Sequence, residues 1–128
     1  MNIDGLIGVP FVDGGRDVKT GLDCWGLVME VYRRQGIELP DYTISAMSAK
    51  DIAKAMADNE KSWKKLDAPK TPCLVVIRLA HAGWANHAGV YLGEDKFIHA
   101  YIKTGVCIDR VRHWRSRVVG FYVPGWLE

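Results

Sequence analysis

The chain has few cysteines, and none of them is placed to form a bridge-rich scaffold. Three in 128 residues is an odd number, and no C-x-x-C pair is present, so a disulfide framework is excluded and reduced thiols are expected. Charge of one sign is also missing: 17 basic side chains face 15 acidic ones, for a net charge of +2, with no basic tail. Such a balance gives no strong field for nucleic acid, and no nucleic-acid partner is expected. No apolar run approaches the roughly 20 residues needed to span a bilayer, so no membrane insertion is expected. The segment Met1-Asn-Ile-Asp-Gly5 lacks a basic region followed by an apolar stretch. The expectation is synthesis in the cytoplasm without a signal peptide. There is no internal repeat of solenoid period. What is present is a hydrophobic content of 48%, enough to close a core without staples, and the expectation is a single domain over residues 1–128.

The order of elements reads as α+β. A glycine-rich loop with Pro10 and aspartates leads to Asp23, a favourable N-cap. Leu27, Val28, Val31 and Tyr32 then recur at helical spacing, and Gly36 with Pro40 stops the helix near Gln35. A second helix is predicted from Ala49 to about Asp58, with Ser48 and Asp51 resembling a capping box. From Trp63 onward the pattern turns to short β-rich runs. Strands are predicted at Cys73–Leu79, His87–Leu92, Lys96–Ile102, Val106–Arg110 and Val118–Val123, joined as an antiparallel meander of about five strands.

Cys24 follows the cap directly and lies on the inward side of its helix. The unpaired amides and positive dipole end of a first helical turn favour an anion, so a lowered thiol pKa is expected there. A nucleophilic thiol needs a base, and a base needs a group to orient it. Two of the four histidines, His87 and His99, fall in consecutive predicted strands. They share a face only in an even register, which requires a three-residue turn at Gly93-Glu94-Asp95, with Leu92 opposite Lys96, or a bulge. A two-residue turn at Glu94-Asp95 without a bulge would send the imidazoles to opposite faces. His81 and His113 read as loop and surface residues, and Cys73 and Cys107 as core. No Cys or His pair has the short spacing of a structural zinc site, so no metal is expected, and acyl transfer by a cysteine and a histidine needs no organic cofactor.

Four motifs in order carry a family likeness: Gly8-Val-Pro-Phe-Val-Asp-Gly-Gly15, Gly21-Leu-Asp-Cys-Trp-Gly-Leu-Val28, His87-Ala-Gly-Val-Tyr-Leu-Gly93 and Phe97-Ile-His-Ala100. With them the sequence resembles the NlpC-type peptidoglycan endopeptidases, papain-like cysteine peptidases that cut cell-wall stem peptides. Its form is most similar to the bacteriophage branch, which includes tail-assembly proteins. The resemblance implies N-terminal helices packed on a central antiparallel sheet. It implies Cys24 as nucleophile, His87 as general base and later acid, and His99 as the group orienting His87. The amide of Cys24 is implied as an oxyanion donor. The substrate implied is a peptidoglycan stem peptide, cut between γ-D-glutamate and the diamino acid, with other phage tail proteins as further partners and a virion or lysis route of delivery.

Four more residues enter through the resemblance as substrate-facing. Asp23 is placed to meet the free amino group of a stem peptide as well as to cap the helix. The family commonly has a tyrosine in the loop before the nucleophile; here Phe11 stands there, with Asp13 as a second candidate for that position. Loss of the hydroxyl donor is expected to lower the rate roughly a hundredfold. Trp25 replaces a common serine and either narrows the pocket or packs against the loop. Two other readings stand beside the peptidase: a non-catalytic tail-assembly component with the same fold, and an amidase or acyltransferase using the same three residues.

Overall fold

The computed structural model describes residues 1–42, 63–79 and 87–127. In the glycine-rich entry segment, Arg16–Asp17 (β1) and Gly21–Leu22 (β2) pair antiparallel, and Phe11 bridges Leu22 on the other side. The helix α1 covers Cys24–Arg33. It begins where the cap predicts, because Asp23 is extended and its Oδ1 accepts the Gly26 N–H at 2.7 Å, satisfying a donor that the helix itself leaves unpaired. Gly36, at φ 81°, turns the chain away after the last turn, a left-handed conformation that glycine adopts without a Cβ clash. The predicted helix at Ala49 to Asp58 lies outside the described residues. Among the described residues no helix is long and apolar enough to cross a membrane.

Six strands form the main sheet: Trp63–Leu66 (β3), Leu74–Ile77 (β4), His87–Gly93 (β5), Lys96–Tyr101 (β6), Gly105–Arg110 (β7) and Val118–Pro124 (β8). Their order is β3-β8-β4-β5-β6-β7, and every neighbouring pair is antiparallel. The class is α+β as expected, but the simple five-strand meander is corrected. The strands β4 to β7 do run as a meander, whereas β8 returns between β4 and an additional edge strand, β3. That insertion pairs the backbone of β8 on both sides, an accounting of N–H and C=O groups that apolar periodicity does not report. The arginine-rich connection before β8 folds as a 3₁₀ segment over Val111–Arg117, with its arginines exposed and Trp114 turned inward.

Hydrophobic packing divides between the two faces of the sheet. The helix residues Leu27, Val28 and Val31 pack with Ala88, Val90, Ile98 and Ala100 in the larger cluster. Val75, Ile77 and Phe97 form a smaller cluster on the other face, with Tyr91, Trp114 and Phe121 against it. Strict alternation along a strand therefore puts His87, Gly89 and His99 on the face away from α1.

The β5–β6 hairpin decides whether the two histidines meet. Val90 stands opposite Ile98 and Tyr91 opposite Phe97, but Gly93 pairs with Lys96, so the register shifts between Tyr91 and Gly93. The turn has only two residues, Glu94 at φ 53° and Asp95 at φ 66°, the backbone of a type I′ turn. The expected three-residue turn is thus replaced by its stated alternative, a short turn with a bulge at Leu92. One extra residue restores the even register, and Gly89 comes to lie opposite His99 with His87 two residues away on the same face. Gly89 also makes the room: a Cβ there would stand 2.6 Å from the Ile98 carbonyl oxygen and 2.9 Å from His99 Cβ and the Phe97 ring. Gly89→Ala is expected to lower the unfolding free energy by about 1–3 kcal/mol in urea titrations. An unchanged midpoint would show that the strands can separate there without loss.

Candidate active site

Cys24 opens α1 and is 1% exposed. Its sulfur lies against the backbone amide of Ala88, the residue after His87, so the thiol touches the peptide unit that links His87 to the rest of β5. The helix covers one face of the sheet and the imidazoles occupy the other, with Cys24 at the first position of α1 and His87 at the first position of β5. The pKa expected from the helix terminus is not what the surroundings produce. Burial first, and the neighbouring Asp23 carboxylate second, push the Cys24 thiol up to about 12, against the smaller opposing pull of the Ala88 and Trp25 amides and of Arg16. Desolvation outweighs the dipole because the sulfur is shut away from water, where an anion is held least well.

Behind His87 runs a chain of short hydrogen bonds. His87 Nε2 and His99 Nδ1 are 2.7 Å apart, and His99 Nε2 is 2.7 Å from Asp109 Oδ2. A carboxylate only accepts, so His99 Nε2 carries the proton toward Asp109 and its Nδ1 is left as an acceptor. His87 then donates from Nε2, and its Nδ1 bears the lone pair. The tautomer of His87 is fixed by a carboxylate two residues along the chain of bonds. Burial, with the neighbouring His99 as the lesser cause, lowers the His87 pKa to about 3. Burial also lowers that of His99, with Asp109 acting in the opposite direction. Burial thus favours the uncharged form of both His87 and Cys24.

His99 is fully buried and ringed by aromatic groups. Phe97 lies 4.6 Å away between centroids, Trp114 5.5 Å and Tyr101 5.8 Å. Trp114 Nε1 also donates to Asp109 Oδ2 at 3.3 Å. Sequence reading missed Asp109 and Trp114. The available signal was register: with His99 opposite Cys107 across β6 and β7, residue 109 lies one pleat further along the same face.

Asp23 is closed to solvent, and both of its oxygens are taken. Oδ1 accepts from Arg16 Nη1 at 2.6 Å and from the Gly26 amide, while Oδ2 accepts from the Gly14 amide at 3.1 Å. This partly buried pair ties the entry loop to the helix start, where Gly26 lets the Gly15 carbonyl approach closely. In this arrangement Asp23 has no free face for a substrate amino group. Trp25 is 2% exposed; its Nε1 donates to the Pro40 carbonyl at 3.0 Å and its ring meets Tyr42 and Trp63. It is a packing residue, not a wall of an open pocket. Phe11 is half-buried against the core and Asp13 is exposed. His113 is exposed on the 3₁₀ segment, and His81 lies outside the described residues. Cys73 is buried, as expected of core, but Cys107 is only partly buried and sits beside His99, because β7 is an edge strand.

Known proteins are similar to this chain in sequence and in fold. The NlpC/P60 family model matches residues 8–123. The murein DD-endopeptidase MepS/murein LD-carboxypeptidase of Escherichia coli K12 is 31% identical over 106 residues, covering 80% of this chain and 50% of the relative. Tail tip assembly protein K of Escherichia phage N15 is 33% identical over 99 residues, covering 73% of this chain and 38% of that protein. The chain thus spans half or less of the length of these relatives. Among solved structures, a Staphylococcus aureus Mu50 protein described as similar to lipoprotein, NLP/P60 family, superposes with a TM-score of 0.63 at 26% identity, covering 93% of this chain and 37% of that one. A family model spanning nearly the whole sequence, joined to the same α+β frame, shows that this chain belongs to the NlpC/P60 family.

Proposed function

We propose that this chain is a cysteine endopeptidase acting on peptidoglycan stem peptides, with Cys24 as nucleophile, His87 as base and His99 as its orienting partner. The observation that carries the reading is the Asp109–His99–His87 chain of bonds, which leaves a lone pair on His87 Nδ1 beside the peptide that Cys24 touches. Family membership and the likeness to a murein endopeptidase support the substrate class. The γ-D-glutamyl to diamino-acid bond is the one the sequence resemblance implies; MepS is named for a D,D bond, and both belong in the assay.

In this mechanism the thiol proton passes from Sγ to His87 Nδ1 as sulfur attacks the carbonyl carbon. A neutral pair at rest makes this general-base attack, not attack by a preformed thiolate. Backbone amides at the helix start stabilise the oxyanion, and His87 returns its proton to the leaving amine. Water then releases the acyl group from Cys24. Asp109 acts through His99 and not on the reacting atoms. It acts as a positioning residue, holding the tautomer of His99 and stabilising the imidazolium that forms during attack.

A second reading rests on the likeness to the phage tail tip protein: the chain as a tail-assembly component, delivered with a particle, whose turnover is weak because Phe11 brings no hydroxyl. Purified protein incubated with defined muropeptides and followed by mass spectrometry separates the two. Cleavage that disappears in Cys24→Ala and His87→Ala supports the peptidase, and product masses assign the bond. No cleavage by any of the three proteins would favour the assembly reading.

Asp109→Asn is expected to lower kcat roughly 10- to 100-fold with KM little changed, and Asp109→Glu to recover part of that loss. Equal loss in both variants with a raised KM would point to a structural role instead. The raised Cys24 pKa has a spectroscopic consequence. Above its folded value the thiol ionises and below it stays protonated, so the difference in thiolate ultraviolet absorbance between wild type and Cys24→Ser stays near zero across the neutral range and rises only in strong alkali. A difference signal already present at neutral pH would mean a preformed thiolate and overturn the general-base order of events.

A further inference from the structure

We propose that His99, Cys107 and Asp109 form a binding site for a zinc-class divalent cation, and that filling it disarms the base; this second part rests on the catalytic roles proposed above. The three donors belong to paired strands at the sheet edge. His99 stands directly opposite Cys107, and Asp109 is one pleat further on the same face. His99 Nε2 lies 3.5 Å from Cys107 Sγ and 2.7 Å from Asp109 Oδ2, and Cys107 Sγ is 3.9 Å from Asp109 Oδ2. A tetrahedral ion with Zn–N and Zn–O near 2.0 Å and Zn–S near 2.3 Å sets its ligand atoms roughly 3.3 to 3.6 Å apart. Opening the His99 to Asp109 separation and drawing Asp109 toward the sulfur, each by a fraction of an ångström, completes that triangle. Asp109 has the freedom for it, since its side chain is 37% exposed while His99 is fixed by burial. One imidazole, one thiolate and one carboxylate make a set that borderline metals favour over calcium or magnesium, with a fourth position left for water. The neighbours suit an occupied site too: Thr104 Oγ1, 3.3 Å from the sulfur, and Trp114 Nε1, on Asp109, are donors to groups that would bear negative charge.

The consequence for the base follows from proton bookkeeping along the chain of bonds. The thiol of Cys107 loses its proton to solvent when it binds the ion. His99 Nε2, now a ligand, cannot hold its proton, which moves to Nδ1 of the same ring. That Nδ1–H donates to His87 Nε2, so the single proton of His87 moves to its own Nδ1. The nitrogen proposed above to take the thiol proton becomes an N–H. No residue leaves its place, yet the base is closed by a change of tautomer passed through two rings. No spacing cue marks the site, because the ligands span two strands and the pair Cys107-x-Asp109 becomes a site only with His99 across the ladder.

Cobalt(II) replaces zinc as a visible probe in the test. Cys24→Ala protein removes the competing thiol of the candidate active site and is titrated with cobalt(II). The expected result is a thiolate-to-cobalt charge-transfer band reaching its limit at one equivalent, and absent in the folded double variant Cys24→Ala/Cys107→Ser. A band that survives loss of Cys107, or no band in Cys24→Ala, would overturn the site. The second arm adds zinc to the muropeptide assay. Wild type is expected to lose cleavage and recover it on chelation, whereas Cys107→Ser keeps metal-free activity and needs at least roughly tenfold more zinc for the same loss. Equal sensitivity of the two proteins would overturn the disarming step. The cobalt arm reads binding in a protein without Cys24, so its outcome is separate from whether the chain is a hydrolase at all.

Discussion

The register of one hairpin governs what this fold can do chemically. The short Glu94-Asp95 turn alone would place His87 and His99 on opposite faces of the sheet. The bulge at Leu92 adds the residue that brings them together, and Gly89 removes the side chain that would otherwise hold the strands apart. The His87–His99 bond, the reach to Asp109 and the tautomer of His87 all rest on that one residue of offset. The bulge beside the candidate site is therefore a working part of the strand pairing here, and a deletion at Leu92 would dismantle the chain of bonds without touching any member of it.

Burial sets the electrostatics more strongly than any local dipole. The helix start offers amides to the sulfur, yet exclusion of water raises the thiol pKa and lowers that of the imidazole, so the two groups rest neutral. Charge is kept further out. Asp109, at the partly exposed edge, supplies the negative end of the relay, and its influence reaches His87 through the buried ring of His99. The other charged pair, Arg16 with Asp23, has a mechanical part: it fastens the entry loop to the first turn of α1, where removing Arg16 would leave the buried Asp23 carboxylate with only the Gly14 and Gly26 amides to hold its charge. Asp23 shows how one residue type supports two expectations from sequence, a cap and a substrate contact, of which the packing leaves room for the cap.

Much of the frame was legible because it follows from local rules. Asp23, the apolar spacing of Leu27, Val28 and Val31, and Gly36 define α1; the alternating runs of β4 to β8 define strands to within a few residues. Strand order was not legible, since placing β8 between β3 and β4 depends on which backbone groups remain to be paired once the meander has formed. The helix was expected to pack on the sheet carrying the histidines, and it does; which face it takes was not legible, and the even register that puts both histidines on one face is reached through the bulge and not through the longer turn. Cys107 read as core because its neighbours are apolar, and only its place on an edge strand makes it accessible.

By itself the sequence determined the cap, the cysteine behind it, the two histidines in neighbouring strands and the family to which their order points, because these depend on residue type and short-range periodicity. Tertiary structure alone decided that Asp109 stands behind His99, that Trp25 and Asp23 are closed inside the fold, and that burial pushes the thiol pKa up. Those properties come from long-range strand pairing and from the exclusion of water, and neither exists until distant segments of the chain have come together.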